Sequence, residues 1–347
     1  MLIYGAYGYT GSLIVEAALE QGLRPLLAGR DLRKLKPLAE RFGLPFTAFD
    51  LQDATALDHA LKEKRLVLNC AGPFTQTFQP VAAACLRQRV HYLDITGEIE
   101  VFEGLASLTK QALSAGVMLL PGVGFDVVPT DCLAAHLKDR LPSATHLTLA
   151  FRAGGGLSRG TRRTMLEGFG RSGAVRRDGH IVPVAPAWKV RQVDFGDGHM
   201  HAAVSIPWGD VATAWYSTGI PNIETYAALP AAQIRALHLS RHFGWLLRRK
   251  LLRKQLQRRI DASAPGPDAA TRRKSESLIW GEVCDLQGQC VHSRLRCGNG
   301  YSFTARAAVA AAKRVLGGDI KPGFQTPSRA FAIGFVLALG ARITDLT

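Results

Sequence analysis

The first twenty residues, MLIYGAYGYTGSLIVEAALE (1–20), decide the fold of this chain. The apolar run at 2–5 is typical of a buried strand, and it leads directly into Gly5-Ala6-Tyr7-Gly8-Tyr9-Thr10-Gly11, after which 12–21 has the pattern of a helix. Glycines at a strand-to-helix junction permit a tight turn and let backbone amides approach a pyrophosphate. The seven-residue run therefore predicts a dinucleotide site.

Strands and helices alternate beyond this opening unit. We expect strands at 23–28, 46–50, 65–70, 91–95 and 117–121, and helices at 31–42, 54–62, 80–87 and 101–115. Such alternation implies right-handed βαβ crossovers. The fold class predicted for residues 1–135 is therefore α/β, a Rossmann domain with a doubly wound parallel sheet.

The end of the second strand indicates the choice of cofactor. NAD-binding folds place an acidic residue there on the ribose 2′-hydroxyl, whereas this chain has Ala28-Gly29-Arg30. An arginine pairs with a 2′-phosphate, so the sequence favours NADP over NAD, with Arg30 as the main contact. Lys34, one helical turn on, either adds charge there or is a solvated helix residue. Asp50, at the end of the third strand, is placed to reach the adenine edge.

Polar and small residues follow three later strands, at the edge of the sheet where the nicotinamide should lie. The predicted cofactor-binding residues there are Cys70, Ala71, Gly72, Pro73, Phe74 and Gly97. The predicted catalytic or substrate-binding residues are Asp126, Thr96, Glu98 and Thr130, each of which also suits a helix cap or a turn. No tyrosine has a lysine four residues on, which excludes the Tyr-Lys mechanism of short-chain reductases.

The runs LNCAGPF (68–74), HYLDITGE (91–98) and PGVGFDVVPTD (121–131), together with GAYGYTG (5–11), carry a family resemblance. The chain resembles the saccharopine dehydrogenase-like oxidoreductases, including the trans-acting enoyl reductases of bacteria. The resemblance extends weakly through WGDVATAWYSTG (208–219) and GFQTPSRAF (323–331). It implies an NAD(P)-binding domain, a second α+β domain with an antiparallel or mixed sheet, and a C-terminal helix that packs back on the first domain.

The second half of the chain has hairpin patterns of its own. Alternation predicts strands at 145–151, 200–206 and 211–215, with Pro207-Trp208-Gly209-Asp210 as the turn between the last two. A second hairpin joins 277–285 to 289–297, a short strand follows at 301–304, and a helix at 306–315. We therefore predict an α+β substrate domain with a mostly antiparallel sheet over 136–304, a helical segment over 305–347, and a substrate cleft between the domains.

Charge is unevenly distributed along the chain, which has a formal net charge of +15. Residues 1–140 hold 14 basic and 15 acidic side chains, and residues 141–347 hold 29 and 13, so a uniformly basic nucleic-acid binder is excluded. Eight of the basic residues lie in 241–260, a predicted amphipathic helix. Its cationic face is either a docking surface for an anionic membrane or an acidic carrier protein, or simply solvated.

Two further features of the sequence are the run 154–164 and the cysteines. Glycines, hydroxyls and three arginines in 154–164 are interpreted as an anion contact, a lid or a solvated loop. The cysteines form no CxxC pair and are predicted to be mostly buried thiols, with neither a metal site nor a disulfide framework. The six cysteines are Cys70, Cys85, Cys132, Cys284, Cys290 and Cys297.

Together these features predict an NADP-dependent oxidoreductase. Its substrate would be a small molecule or acyl compound, lipid-like or carrier-bound, carrying an enoyl, imine or carbonyl group. The alternative is a non-catalytic, NADP-binding peripheral membrane or scaffold protein. We expect a cytoplasmic protein, with peripheral membrane association and a homodimer left open.

Overall fold

The computed structural model describes residues 1–168, 172–247 and 250–346; the side chains of 167, 168, 240–247 and 250–254 also lie outside the description. The chain forms two compact units. The first consists of Met1–Val128 and Tyr301–Ala332, and the second of Pro129–Gly300 and Ile333–Thr347.

Sixteen strands are found within the described residues. In chain order they are β1 (Leu2–Tyr4), β2 (Leu26–Gly29), β3 (Phe46–Ala48), β4 (Leu66–Asn69), β5 (His91–Asp94), β6 (Met118–Leu120), β7 (His146–Ala153), β8 (Gly173–Arg177), β9 (His180–Val184), β10 (Val190–Asp194), β11 (Met200–Ser205), β12 (Asn222–Ala228), β13 (Glu276–Cys284), β14 (Cys290–Gly298), β15 (Gly323–Phe324) and β16 (Arg342–Leu346).

Fifteen helices connect these strands in the part of the chain that the structure describes. They are α1 (Tyr9–Glu20), α2 (Leu32–Phe42), α3 (Ala54–Leu61), α4 (Phe74–Gln88), α5 (Ile99–Ser107), α6 (Thr109–Ala115), α7 (Val128–Arg140), α8 (Arg159–Gly168), α9 (Asp210–Thr218), α10 (Ala231–Leu247), α11 (Lys250–Ala262), α12 (Ala269–Lys274), α13 (Gly300–Leu316), α14 (Pro327–Phe331) and α15 (Gly334–Ala338).

The first unit contains a seven-stranded sheet in the order β15-β6-β5-β4-β1-β2-β3. Neighbouring strands are parallel throughout, so the predicted doubly wound Rossmann sheet is confirmed. Its central strands are apolar along their length because both faces are covered, and Leu2, Ile3 and Leu68 are fully buried. The strand order reverses between β1 and β4, where a doubly wound sheet opens its ligand crevice.

The second unit contains a nine-stranded mixed sheet, which confirms the predicted α+β domain. Its main path is β10-β11-β12-β7-β13-β14-β16, and β8 and β9 extend it as a side branch from β12. Only the β12–β7 pair is parallel among the described pairs of this sheet. Helix α7 packs closely on one face, because a Cβ added to Gly281 would lie 2.6 Å from a methyl of Leu137.

Two predicted strands of the second half are wrong. Residues 211–215 lie in helix α9, and β11 pairs instead with β10 and β12. The five consecutive residues from Asp210 to Ala214 are all buried, a pattern that a helix surrounded by protein produces and a half-exposed strand does not. Residues 301–304 likewise belong to helix α13, whose inner face carries Phe303 and a row of alanines.

The cysteine prediction is wrong for one pair. Cys284 and Cys290 face each other across the β13–β14 hairpin, with Cα atoms 4.2 Å apart, and form a disulfide. The antiparallel register of the hairpin places these two cysteines opposite each other, which their spacing in the sequence did not indicate. Cys85, Cys132 and Cys297 are buried free thiols, as predicted, and Cys70 is half-buried.

The basic segment 241–260 spans the end of α10 and most of α11. Its side chains from 241 to 254 lie outside the described residues, so the predicted amphipathic face stays a prediction. In the described part of the chain, no helix combines the length and hydropathy needed to cross a bilayer.

Candidate functional site

The turn after β1 has no room for a side chain at two of its three glycines, Gly5 and Gly11. Gly5 has a φ of +79°, and a Cβ there would lie 2.8 Å from the backbone nitrogen of Ala71, in the loop after β4. A Cβ on Gly11 would lie 2.4 Å from the carbonyl oxygen of Gly5, and one on Gly8 would lie 3.2 Å from it. The glycine run therefore makes a turn too tight for any other residue at its first and last positions.

The N-terminus of α1 suits an anion. Gly8 occupies the N-cap without a side-chain cap, and the first turn holds no acidic residue. The first backbone N–H groups of a helix have no partner within the helix, and its dipole favours negative charge there. Tyr9 flanks this turn, its ring 5.1 Å from that of Tyr301.

Three side chains surround the end of β2. The ring of Tyr7 lies against Gly29, where a Cβ would come within 2.5 Å of it, and its hydroxyl accepts a hydrogen bond from the backbone N–H of Asp31 at 3.3 Å. Asp31 caps α2 through the N–H of Arg33 and forms an ion pair with Lys34 at 3.6 Å. The Asp31 carboxylate is thus committed to α2.

Arg30 and Asp50 differ in how they are engaged. Arg30 is exposed, and it forms neither a hydrogen bond nor an ion pair with any part of the chain that the structure describes. Asp50 lies just past β3, where its carboxylate accepts a hydrogen bond from the N–H of Gln52 at 3.0 Å. Of the residues predicted to bind the adenosine end, Arg30 is therefore the one whose side chain has no hydrogen bond or ion pair within the described chain.

The loop after β4 is held from both sides at Ala71. Its N–H donates to the side-chain oxygen of Asn69 at 3.1 Å, and its carbonyl accepts from the hydroxyl of Thr77 at 2.8 Å. The Asn69 amide also donates to Thr77 at 3.0 Å, which closes the network. Residues 70–73, which include a cis peptide between Gly72 and Pro73, are therefore fixed beside the glycine turn.

Asp94 is the buried centre of the loop after β5. Burial raises the pKa of its carboxyl to about 6, although three donors oppose the shift. These are the Tyr92 hydroxyl at 2.6 Å and the N–H groups of Thr96 at 3.0 Å and Gly122 at 2.9 Å. Asp94 thus joins the loops after β5 and β6, and the hydroxyl of the buried Thr96 accepts from the N–H of Glu98 at 3.1 Å.

Glu98 and Asp126 carry the two carboxyls nearest the end of that loop. Glu98 accepts hydrogen bonds from the N–H groups of Phe74 at 2.9 Å and Thr75 at 3.0 Å, at the start of α4. Asp126 is half-buried against Gly97, where an added Cβ would lie 3.1 Å from its carboxyl oxygen. Burial, and next the charge of Glu98, raise the pKa of Asp126 to about 7. A carboxyl with that pKa holds a proton that it can give up near neutral pH.

Thr130 belongs to the second unit, unlike the other three predicted catalytic residues. It is buried, and its hydroxyl donates to the carboxylate of Asp210 at 2.8 Å. This contact ties the start of α7 to the start of α9, so the geometry gives Thr130 a structural partner.

The arginines of 154–164 also have partners in the second unit. Arg163 bonds the carboxylate of Asp261 at 2.6 Å, and Arg162 bonds the hydroxyl of Ser263 at 2.8 Å. Arg159 reaches the backbone carbonyl of Asp261 at 3.2 Å. These contacts join α8 to the end of α11, so they favour a structural role for the arginines over the anion contact.

No hydrogen-bonding role was predicted for three polar residues of the site, Asn69, Tyr92 and Asp94, although Asn69 and Asp94 lie among the strand-end residues expected near the nicotinamide. The sequence did contain an indication that Tyr92 and Asp94 interact. Residues i and i+2 of a strand lie on the same face, as Tyr92 and Asp94 do on β5. A tyrosine and an aspartate on one face of a strand buried on both sides must satisfy each other or another partner.

The first unit matches a known domain family. Residues 1–120 match the model of the saccharopine dehydrogenase NADP-binding domain. The match covers about a third of the chain and contains the glycine turn, Arg30 and the loops after β4 and β5. It confirms the predicted resemblance and the prediction of NADP as the cofactor.

Curated relatives share parts of the sequence. The mouse saccharopine dehydrogenase-like oxidoreductase is 28% identical over 203 residues, which are 51% of this chain and 47% of that protein. The trans-acting enoyl reductase of Mycobacterium leprae (strain TN) is 32% identical over 149 residues, 41% of this chain and 36% of that protein. The chain spans less than half the length of these two relatives.

Solved structures share the fold over the whole chain. Saccharopine dehydrogenase (L-Glu forming) from Saccharomyces cerevisiae superposes with a TM-score of 0.65 at 13% identity, covering 100% of this chain and 99% of that one. Homospermidine synthase from Legionella pneumophila gives a TM-score of 0.65 at 9% identity, covering 100% and 91%. The TM-scores establish a common fold. Identities this low carry no information about the substrate.

Proposed function

We propose, on the premise that residues 1–120 form a saccharopine dehydrogenase NADP-binding domain, that the protein is an NADP-dependent oxidoreductase. Its reaction would be the reduction of an enoyl, imine or carbonyl group. The observation that carries the proposal is a proton-holding carboxyl, Asp126, at the same sheet edge as the glycine turn. A reduction by hydride needs both a cofactor site and a source of protons.

The residues present fit NADPH. Gly5, Gly8 and Gly11 permit the tight turn that leads into the uncapped N-terminus of α1, because added Cβ atoms would press against the backbone of the turn or of the loop after β4. The free N–H groups of such a helix start suit a pyrophosphate. Arg30 supplies a cation at the end of β2, where the ribose 2′-phosphate of NADP lies in this fold. When bound, NADPH supplies the hydride for the reduction.

The protein's own chemical contribution is the proton. Burial, and next the charge of Glu98, raise the pKa of Asp126 to about 7, so this carboxyl is able to hold a proton near neutral pH. It donates that proton to the substrate atom that becomes negative during the reduction, an oxygen, a nitrogen or the α-carbon of an enoyl group. Burial of Asp126, and next the charge of Glu98, oppose its ionisation and so favour the protonated form.

The substrate class proposed is lipid-like or carrier-bound. Its support is the similarity to proteins named trans-acting enoyl reductase, together with the eight basic residues in 241–260. A cationic segment of that density suits an anionic membrane or an acidic carrier protein.

Replacement of Arg30 by alanine tests the cofactor assignment. A charge-assisted contact to a phosphate contributes roughly 1.5–3 kcal/mol, so Arg30→Ala is expected to raise the Kd for NADPH about 10–100-fold. The Kd for NADH, which lacks the phosphate, should change less than about twofold. Both are measured by titration of nicotinamide fluorescence.

Arg41→Ala is the matched control for that titration. Arg41 lies at the opposite end of α2, exposed, where it pairs with Glu16 at 3.2 Å. Its removal should leave both dissociation constants unchanged. Equal losses for NADPH and NADH in Arg30→Ala would contradict the 2′-phosphate contact.

Turnover separates the proposal from its alternative. The purified chain is incubated with NADPH and, in separate assays, with an enoyl thioester, a long-chain ketone and a cyclic imine, and loss of NADPH absorbance is followed. The proposal expects oxidation with at least one of these classes. Tight NADPH binding and association with anionic vesicles, with no turnover in any assay, would favour the alternative of a non-catalytic NADP-binding protein.

A further inference from the structure

Two helices of the first unit begin at the point where the strand order reverses, and their N-termini differ. Helix α1 begins at Gly8 with no side-chain cap and no acidic residue in its first turn. Helix α4, of fifteen residues, begins after Pro73, which cannot cap it through a side chain. Its cap is supplied from elsewhere, by the carboxylate of Glu98.

The contact of Glu98 with α4 is bidentate. Its two carboxylate oxygens accept separate hydrogen bonds, one from the N–H of Phe74 at 2.9 Å and one from that of Thr75 at 3.0 Å. Hydrogen bonds to an ionised acceptor are roughly twice as strong as neutral ones, and the helix dipole adds to the attraction. Glu98 itself is fixed by the hydroxyl of Thr96 through its backbone N–H.

The residues that Glu98 holds continue directly into the cofactor loop. Phe74 follows residues 70–73, and Thr77, on the first turn of α4, bonds the carbonyl of Ala71 at 2.8 Å. A Cβ added to Gly5 would lie 2.8 Å from the backbone nitrogen of Ala71, so the backbone at Ala71 packs directly against Gly5. A displacement of the start of α4 would therefore pass through Thr77 and Ala71 to the glycine turn.

We propose that Glu98 is a positioning residue, which anchors the start of α4 and thereby holds residues 70–73 in the geometry that lines the cofactor site. The inference rests on the proposed function, because it takes residues 70–73 as part of an NADP site. Its carboxylate also fills the anion position of α4, which leaves α1 as the helix that receives the cofactor's pyrophosphate.

The test uses two substitutions at Glu98 and one control. Glu98→Gln keeps the size of the side chain but has one acceptor oxygen, and Glu98→Ala removes both. Glu100→Gln removes the carboxylate of an exposed residue two positions away, in the first turn of α5. Thermal unfolding of each variant establishes that it is folded before further measurements.

The first measurement is amide hydrogen exchange of Phe74 and Thr75 in the protein without cofactor. Loss of the carboxylate should raise their exchange rates at least tenfold in Glu98→Ala, with a smaller rise in Glu98→Gln and none in Glu100→Gln. The second measurement is the Kd for NADPH. We expect it to rise about tenfold in Glu98→Ala and less in Glu98→Gln, and to be unchanged in Glu100→Gln.

The outcomes distinguish this inference from the proposed function. Unchanged exchange at Phe74 and Thr75 would overturn the anchor, whatever the affinity does. Faster exchange with an unchanged NADPH Kd would make Glu98 a helix cap alone and overturn the positioning role. A wild-type protein that binds no NADPH would instead overturn the proposed function, in a titration that needs no variant.

Discussion

Asp126→Asn is expected to lower kcat for the reduction about 10²- to 10⁴-fold, the range attributed to a positioned proton donor. The amide has nearly the same shape as the carboxyl but has no proton to give up at accessible pH. The NADPH Kd should change little, because the residue's proposed role is proton transfer to the substrate. Steady-state kinetics with the substrate class that turns over, combined with the NADPH titration, measure both quantities.

The same variant has a diagnostic pH profile. Burial and the Glu98 carboxylate raise the pKa of Asp126 to about 7, and the proposed step uses the protonated form. In the wild type, kcat should therefore be highest below pH 7 and fall as the pH rises, approaching tenfold per pH unit above the pKa. Asp126→Asn should lose this limb, since no carboxyl remains to titrate.

A control variant removes a carboxylate without touching the site. Asp139→Asn changes an exposed residue of α7 and should preserve both kcat and the pH profile. An Asp126→Asn protein that keeps more than about a third of kcat, with the alkaline limb intact, would contradict the assignment of Asp126 as the proton donor.

The first unit was largely predictable because its central strands are buried on both faces. In a strand such as Leu66–Asn69, three consecutive apolar residues precede the polar end. Such a run can be recognised in the sequence without knowing which strands lie beside it. Strand β15 was not predicted, because it is too short to form a recognisable apolar run. It has two residues, Gly323–Phe324, and it exists as a strand because it pairs with β6 some 200 residues earlier.

The second unit shows where local pattern fails. Residues 211–215 alternate in a way that suits a strand, yet they form part of α9 because protein surrounds that segment on all sides. The disulfide between Cys284 and Cys290 depends likewise on strand register, which a list of cysteine spacings does not contain. The helix at 211–215 and the disulfide both depend on tertiary contacts, which the hydrophobic periodicity of the sequence does not predict.

In the site, the sequence predicted where the glycine turn and the strand-end loops lie, but it did not predict the hydrogen-bond partners of their polar side chains. Glu98 was predicted as a catalytic or binding residue, and its observed partners are two backbone N–H groups of α4. Asn69 and Asp94 were predicted only as strand-end residues near the nicotinamide, and each organises a loop through several hydrogen bonds. Buried polar residues are defined by their partners, which come from strands and loops distant in sequence.

The second large effect is expected at Gly11. A Cβ there would lie 2.4 Å from the carbonyl oxygen of Gly5 and 3.0 Å from that of Ala6, and both are backbone atoms of the turn. Because neither is the flexible end of a side chain, Gly11→Ala must displace either α1 or the turn itself. We expect the free energy of unfolding to fall by about 1–3 kcal/mol, the usual cost of overpacking.

Gly11→Ala should also weaken cofactor binding. The amides that meet the pyrophosphate belong to the same turn, and a displacement of about 1 Å in a binding geometry can cost roughly 10²-fold. Gly11→Ala is thus expected to raise the Kd for NADPH and for NADH alike by about 100-fold. This joint loss differs from that of Arg30→Ala, which should spare NADH.

Gly334→Ala is the matched substitution for this experiment. Gly334 begins α15 in the second unit, and an added Cβ would have nothing within 4 Å. Its unfolding midpoint in urea and both dissociation constants should match the wild type. If Gly11→Ala bound NADPH as tightly as Gly334→Ala while remaining folded, the glycine turn after β1 could not be the site of the pyrophosphate, because a rigid backbone clash at its last glycine would then have no effect on the ligand.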